Sequence, residues 1–167
     1  SKAVDWYRSI GIKNVTRTQW AADPAFFKPL PEKEKINRPD VVFVGGWSRP
    51  RAKIISYLED HGIKVDVYGS GWPNGRIKDE EMVRLFSRAK INLGLNPAPG
   101  FFNQNSLGRL FFRRSANKIV PDFHLIRNLR SFSHRGIPQI KGRHFEIPAC
   151  GGFMLTAGAD DLNNYFE

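Results

Sequence analysis

Lys141, Arg143 and Glu146 stand close together in the segment KGRHFEIPACGG (141–152), which closes on Gly151 and Gly152, two further candidate binding residues. A carboxylate accepts from two neighbouring hydroxyls at once, one on each oxygen, and an acidic residue holds a ribose this way in dinucleotide-binding folds. Lys141 and Arg143 would then face phosphate while Glu146 faces the sugar. The same spacing also allows a plain i, i+3 ion pair between Arg143 and Glu146, worth about 0.2–0.5 kcal/mol on a helix surface. A second candidate is Gly45-Gly46, which ends the apolar run VVFVGG (41–46) and precedes Arg49, Arg51 and Lys53. A glycine turn lets backbone N–H groups approach a phosphate in front of a helix N-terminus. The competing role is a tight strand–helix turn with a solvated basic start. GGWSRP is neither G-x-G-x-x-G nor a P-loop. Gly69-Ser70-Gly71 repeats the pattern, and Trp72 either stacks on a ligand or, as the favoured reading, fills a turn. Asn92 and Asn96 close INLGLNP (91–97), where an Asn suits phosphate or sugar oxygens and turn capping equally.

Other chemistries find little support. Cys150 is the only cysteine, so there is no disulfide framework and no cysteine-based metal site. It sits among small residues (ACGG) and is expected to pack. The four His are scattered, and His144, the one near the candidate segment, is taken as surface or structural. No Ser/His/Asp or Cys/His arrangement can be argued from position. Net charge is +10 and the pI is about 10.0, which favours an anionic partner. Most of that charge lies between residues 103 and 143, where Asp122 is the single acid. No apolar run approaches the roughly 18–20 residues of a membrane span.

The candidate residues fall at the ends of a regular alternation. VVFV is a continuous apolar run, as a fully buried parallel strand requires. The following segment predicts a helix, with Ser48 able to cap, Pro50 in the first turn, Ile54, Ile55 and Leu58 on one face, and Gly62 as the stop. KVDVYGSG (64–71) is the second strand. Asp79 is expected to cap a helix whose apolar face is Met82, Leu85, Phe86 and Ala89. INLGLNP is the third strand, HFEIPAC a short helix starting near His144, GFMLTA a fourth strand, and DLNNYFE the start of another helix. The alternation predicts an α/β domain with a Rossmann-like parallel sheet and helices on both faces. Ligands of such sheets bind outside the carboxyl ends of the strands. Residues 1–38 read as a lead-in, with a helix near the start, a short strand at KNVTRTQW, and a Pro-rich linker. Residues 39–167 read as the domain, with a basic helical insertion at about 101–140 in which SLGRLFFRRSANK and FHLIRNLRSF are short helices.

RHFEIPACGGFMLT followed by DDLNNYFE resembles the C-terminal half of GT-B glycosyltransferases. The resemblance is to the CgeB-like group, with its R-x-F-E-x-x-A-C-G signature, a variant of the wider retaining group-1 family. AADPAFFKPLP is similar to the stretch joining the two GT-B domains, and VVFVGG, VDVYGSGWP and MVRLFSRAKINLGLNP follow in order. The resemblance implies a donor-binding domain for a nucleotide-diphosphate sugar such as a UDP- or GDP-sugar, with no metal or other cofactor. It implies that Glu146 holds the donor ribose, that Gly45, Gly46 and Arg51 meet the diphosphate, and that Arg143 is the signature Arg. A second Glu of the wider family, eight residues before Glu146, is Pro138 here, so the sugar grip falls to Asn96 or Lys141.

Several expectations follow. The acceptor is unknown, and the N-terminal acceptor domain is expected to be missing from this chain, which reads as a piece of a longer protein, incomplete at its C-terminus. The location is expected to be cytoplasmic, peripheral at an anionic membrane surface. One alternative is a basic module binding a membrane surface or, ranked behind it, nucleic acid, because phenylalanines interleave with the arginines after residue 100. Another is an inactive nucleotide-binding remnant.

Overall fold

The run VVFV carries no polar position because both of its faces are covered. β1 (Val41–Val44) is buried at every residue. The computed structural model describes residues 2–16, 18–96, 111–115, 118–124, 126, 128, 140–159 and 162–166. In it, β1 pairs in parallel with β2 (Val65–Tyr68) on one side and β3 (Ile91–Gly94) on the other. A last strand, β6 (Met154–Thr156), pairs in parallel with β3, giving a four-stranded sheet of order β2-β1-β3-β6. This is an α/β, Rossmann-like parallel sheet, consistent with half of a GT-B fold.

Alternate residues of β1 point to opposite faces. Val42 and Val44 pack with Met82, Val83 and Phe86 of α3 (Asp79–Arg88) and with Ile147 of α4 (Arg143–Ala149). Val41 and Phe43 pack with Ile55 of α2 (Arg49–Asp60) and with Val65 and Leu93. Burying a side chain such as Phe86, only 1% exposed, contributes about 1.5–3 kcal/mol. The helix α2 has Pro50 in its first turn and ends before Gly62, as its sequence predicts; Ser48 takes the N-cap position but makes no side-chain capping bond.

Some local expectations change. Ile54 is exposed, so the buried face of α2 is Ile55 with a partly buried Leu58. Lys78, not Asp79, precedes α3; Asp79, Glu80 and Glu81 all lie in its first turn, where the helix dipole favours them. α4 begins at Arg143, one residue earlier than expected. Pro148 therefore falls beyond the first turn, and the helix ends one residue later. Among the described residues KNVTRTQW forms no strand, and DLNNYFE holds only a 3₁₀ turn, Leu162–Asn164. α1 (Lys2–Ser9) opens the lead-in. The Pro-rich stretch docks on the sheet: Phe27 packs on the core and the Leu30 amide donates to Ser87 Oγ at 2.8 Å.

The chain forms two compact units, one of Ser1–Asn96 with Ile140–Glu167 and one of Pro97–Gln139. In the second, β4 (Phe112–Ser115) and β5 (Lys118–Pro121) form an antiparallel hairpin. This corrects the helix expected over SLGRLFFRRSANK: Arg113 and Arg114 pair with the β-branched Val120 and Ile119, residues that favour a strand. At Asn128 the amide donates to the His124 carbonyl, one helical turn inside the second expected helix. The rest of the basic insertion, Pro138 included, lies outside the described residues.

The end of α4 is closed by a Schellman arrangement. Gly151, with φ +69°, donates to Pro148 O, and Gly152 donates to Ile147 O. A Cβ on Gly152 would lie 2.4 Å from Phe86 O and 2.9 Å from Asn92 Nδ2. Gly152→Ala should destabilise the fold by about 1–3 kcal/mol, whereas Gly46→Ala, where a Cβ meets nothing within 4 Å, should be near neutral. Urea unfolding of the two variants checks this.

Candidate functional site

The chain leaves β1 through α2 to β2 on one side, then returns through α3 to β3 on the other. Strand order therefore reverses between β1 and β3, and the crevice outside their carboxyl ends is where such sheets bind ligands. Arg51 spans it. Its Nη1 donates to Gly46 O at 2.7 Å, after β1, and its Nε donates to Leu95 O at 3.0 Å, after β3. The guanidinium also lies 5.4 Å from the Phe43 ring centroid. Burial lowers its pKa from the ordinary arginine value, yet an arginine stays charged. Arg51 thus clamps the two strand ends together and presents its remaining N–H groups, which have no acceptor among the described residues.

The glycine turns serve each other more than an open cradle. Gly45 donates to Tyr68 O at 2.8 Å and Trp47 donates to Ser70 O at 2.8 Å. Gly69, at φ +137°, lies so near that a Cβ would be 2.2 Å from Gly45 O. Trp72 Nε1 donates to the same Gly45 O at 2.9 Å, and its ring meets Phe43 edge-on. Trp72 is a turn-filling aromatic, and two amides of the Gly45–Trp47 turn are already committed to the neighbouring loop.

The first turn of α4 is clipped to the same rim. Thr156 Oγ1, at the end of β6, donates to Gly94 O at 2.9 Å. Thr156 Oγ1 also lies 3.3 Å from His144 Nε2 and 3.2 Å from Ala157 O. His144 Nδ1 lies 3.1 Å from both the amide nitrogen and the carbonyl oxygen of Lys141, so either neutral tautomer is bonded at both ring nitrogens. His144 is buried, 1% exposed, and acts as a structural clip. The sequence offered no signal pairing residues 144 and 156, because the bond joins elements distant along the chain.

Arg143 and Glu146, one turn apart on α4, form an ion pair. The Arg143 guanidinium also lies 5.2 Å from the Phe86 ring centroid. Both charges stay partly exposed, at 34% and 20% of the side chain. The structure thus brings Gly45, Gly46, Arg51 and Asn96 together at the strand-order reversal, and Lys141, Arg143 and Glu146 to the adjacent β3–β6 rim. Gly151 and Gly152 are not brought there. They lie at the amino end of β6, against Pro29, Phe86 and Asn92. Asn92 is likewise not at the rim; it is buried low in β3 and donates to Phe86 O and Phe153 O. Among the described residues no cluster of His, Cys, Asp and Glu could hold a metal ion.

The family model for glycosyl transferase-like proteins matches residues 49–167. The chain belongs to the glycosyl transferase-like family. Its parallel sheet, its rim and the α4 segment all lie inside the matched span, apart from β1 and its glycine turn. Neither a curated protein nor a solved structure matches the chain. This glycosyltransferase-type domain has no helix, among the described residues, long and apolar enough to cross a membrane.

Cys150, at the other end of α4, is fully buried. Burial, with Glu146 adding to it and Arg143 opposing, pushes its thiol from 9.0 up to about 11. The folded form holds this proton more tightly than the unfolded chain. That contribution is fully present below pH 9.0 and is lost as pH rises through about 11. Chemical denaturation should show the wild type losing stability across this window, with a smaller loss in Cys150→Ala.

Proposed function

We propose that the sheet unit binds the nucleotide-diphosphate-sugar donor of a CgeB-like group-1 glycosyltransferase at the carboxyl-end rim, for transfer to an acceptor carried by a second domain. One observation carries the reading. The partly exposed Glu146 and Arg143 stand on a helix turn clipped, through His144 and Thr156, to the end of β3 beside the strand-order reversal. In this reading Glu146 exchanges its ion pair for the ribose diol, one hydroxyl on each carboxylate oxygen. Arg143, released, turns to the diphosphate together with the free N–H groups of Arg51. Lys141 and Asn96 stand on the transferred-sugar side. The bond from the anomeric carbon to the diphosphate oxygen breaks, a bond to the acceptor oxygen forms, and the acceptor hydroxyl proton passes to the leaving diphosphate and from it to solvent. The two guanidinium groups stabilise the charge that develops on the leaving diphosphate.

Calorimetry with UDP, GDP, ADP and TDP and their sugars tests this. One nucleotide sugar should bind, and Glu146→Ala should weaken it about tenfold or more, since hydrogen bonds to a charged group are worth about 1.5–3 kcal/mol. Unchanged affinity in a folded Glu146→Ala protein overturns the reading.

A specific observation favours a second role, for the basic unit. Phe111, Phe112, Ile119, Phe123 and Ile126 are exposed there, Ile119 at 75% and Ile126 at 79%. The one acid of the basic stretch, Asp122, is buried and bonded to His124. Aliphatic side chains enter a bilayer interface but do not stack on bases, so the surface fits the cytoplasmic face of an anionic membrane better than nucleic acid. The chain should co-sediment with phosphatidylglycerol vesicles and not with phosphatidylcholine vesicles, and 0.5 M salt, at about a 4 Å screening length, should release it.

A further inference from the structure

At the opposite edge of the sheet from α4, the loop after β2 and one side of α3 enclose an open cavity of about 430 Å³. Arg76 comes from the loop, while Glu81, Arg84 and Arg88 come from one stripe of α3, at helical spacing. Like charges gathered on one cavity repel, and Glu81 is the one carboxylate in the lining against three arginines. Arg76 and Arg84 make no ion pair or hydrogen bond among the described residues, and Glu81, although three residues before Arg84, makes no ion pair with it. Arg88 spends Nη2 on Asn37 O at 2.7 Å. Its Nε is buried with no acceptor among the described residues, and a buried donor left so costs about 1–3 kcal/mol. Apolar surface completes the lining, from Tyr68, Ile77 and Leu85.

We propose that this cavity binds a small phosphomonoester, at a site separate from the carboxyl-end rim. Guanidinium groups match phosphate oxygens in charge and in the geometry of their paired N–H donors. The volume falls within the range of about 300–1,000 Å³ typical of small-molecule sites. The phosphate dianion meets Arg76 and Arg84 at the open side, and the organic part lies against Tyr68, Ile77 and Leu85. Glu81 sets the limit on charge: it keeps the site from accumulating an unselective excess of anion and is available to accept from a hydroxyl of the bound molecule.

The test is an NMR amide titration of the full chain with inorganic phosphate, with phenyl phosphate, and with phosphatidic acid vesicles followed by co-sedimentation. Phenyl phosphate should bind more tightly than inorganic phosphate, with shifts concentrated at Tyr68, Ile77 and Leu85. The double variant Arg76→Ala/Arg84→Ala, both at exposed positions, should keep its circular dichroism spectrum and lose about tenfold or more in affinity. Glu81→Gln should tighten phosphate binding about threefold by removing a nearby like charge. Vesicle binding that needs both arginines, with no binding of phenyl phosphate, supports the site and assigns the phosphomonoester to a lipid headgroup. Phenyl phosphate bound equally by wild type and double variant, shifts confined to other parts of the chain, or no binding of phenyl phosphate together with no vesicle binding that depends on the two arginines, overturns the proposal; vesicle binding common to both proteins belongs to the basic unit.

Discussion

One buried side chain ties the layers of the sheet unit together. Asn92 Nδ2 donates to Phe86 O at 3.1 Å, in the last turn of α3, and to Phe153 O at 3.2 Å, at the entrance to β6. Its own amide also donates to Phe153 O. The bonds run through a place where no side chain fits beyond Gly152, so the chain leaving α4 must pass there as bare backbone. An amide inside the core is tolerated because its hydrogens find carbonyls, while its Oδ1 stays buried with no partner among the described residues, at a desolvation cost to the fold. With α3, β3 and β6 joined at this point, α4 has one place to lie, and its first turn comes out at the carboxyl ends of the strands.

The rim is organised by two consecutive carbonyls at the end of β3. Gly94 O accepts from Thr156, which carries the His144 clip and α4 behind it, and Leu95 O accepts from Arg51, which carries the end of β1. A single strand end thus sets the spacing between the Arg51 clamp and the Arg143–Glu146 pair. Neither glycine turn near it is an open cradle: the Gly45 and Trp47 amides donate to Tyr68 O and Ser70 O, and Gly69 and Gly71 leave no room for a Cβ against Gly45 and Trp47. What the rim presents is therefore side-chain cations and one carboxylate, with Arg51 held on two backbone carbonyls and Arg143 on Glu146.

Much of this was legible in the chain. VVFV could only be a strand covered on both faces, and the spacing of Met82, Phe86 and Ala89 could only bury one side of a helix. The alternation of these pieces left a parallel α/β sheet as the outcome, and the R-x-F-E-x-x-A-C-G segment pointed to the glycosyltransferase-type family. The basic stretch was less legible. FFRRS has aromatic and cationic residues that suit a helix face or a hairpin, and its partner across the turn, KIVP, decides between them through tertiary pairing. Gly151 and Gly152 looked like ligand glycines because they follow a carboxylate, yet their φ angle and their approach to Phe86 make them a helix cap and a packing contact.

Local pattern, then, determined which residues are apolar on which side, where helices start and stop, and which charged groups lie close in sequence. These depend on spacing along a few turns or a few strand residues, which the order of residues states outright. Tertiary structure alone decided that Arg51 bridges two strand ends, that His144 is a buried clip to Thr156, and that Asn92 is a core stitch rather than a rim donor. Each of these joins separate elements by hydrogen bonds, and the partners are chosen by which groups the sheet order brings within reach.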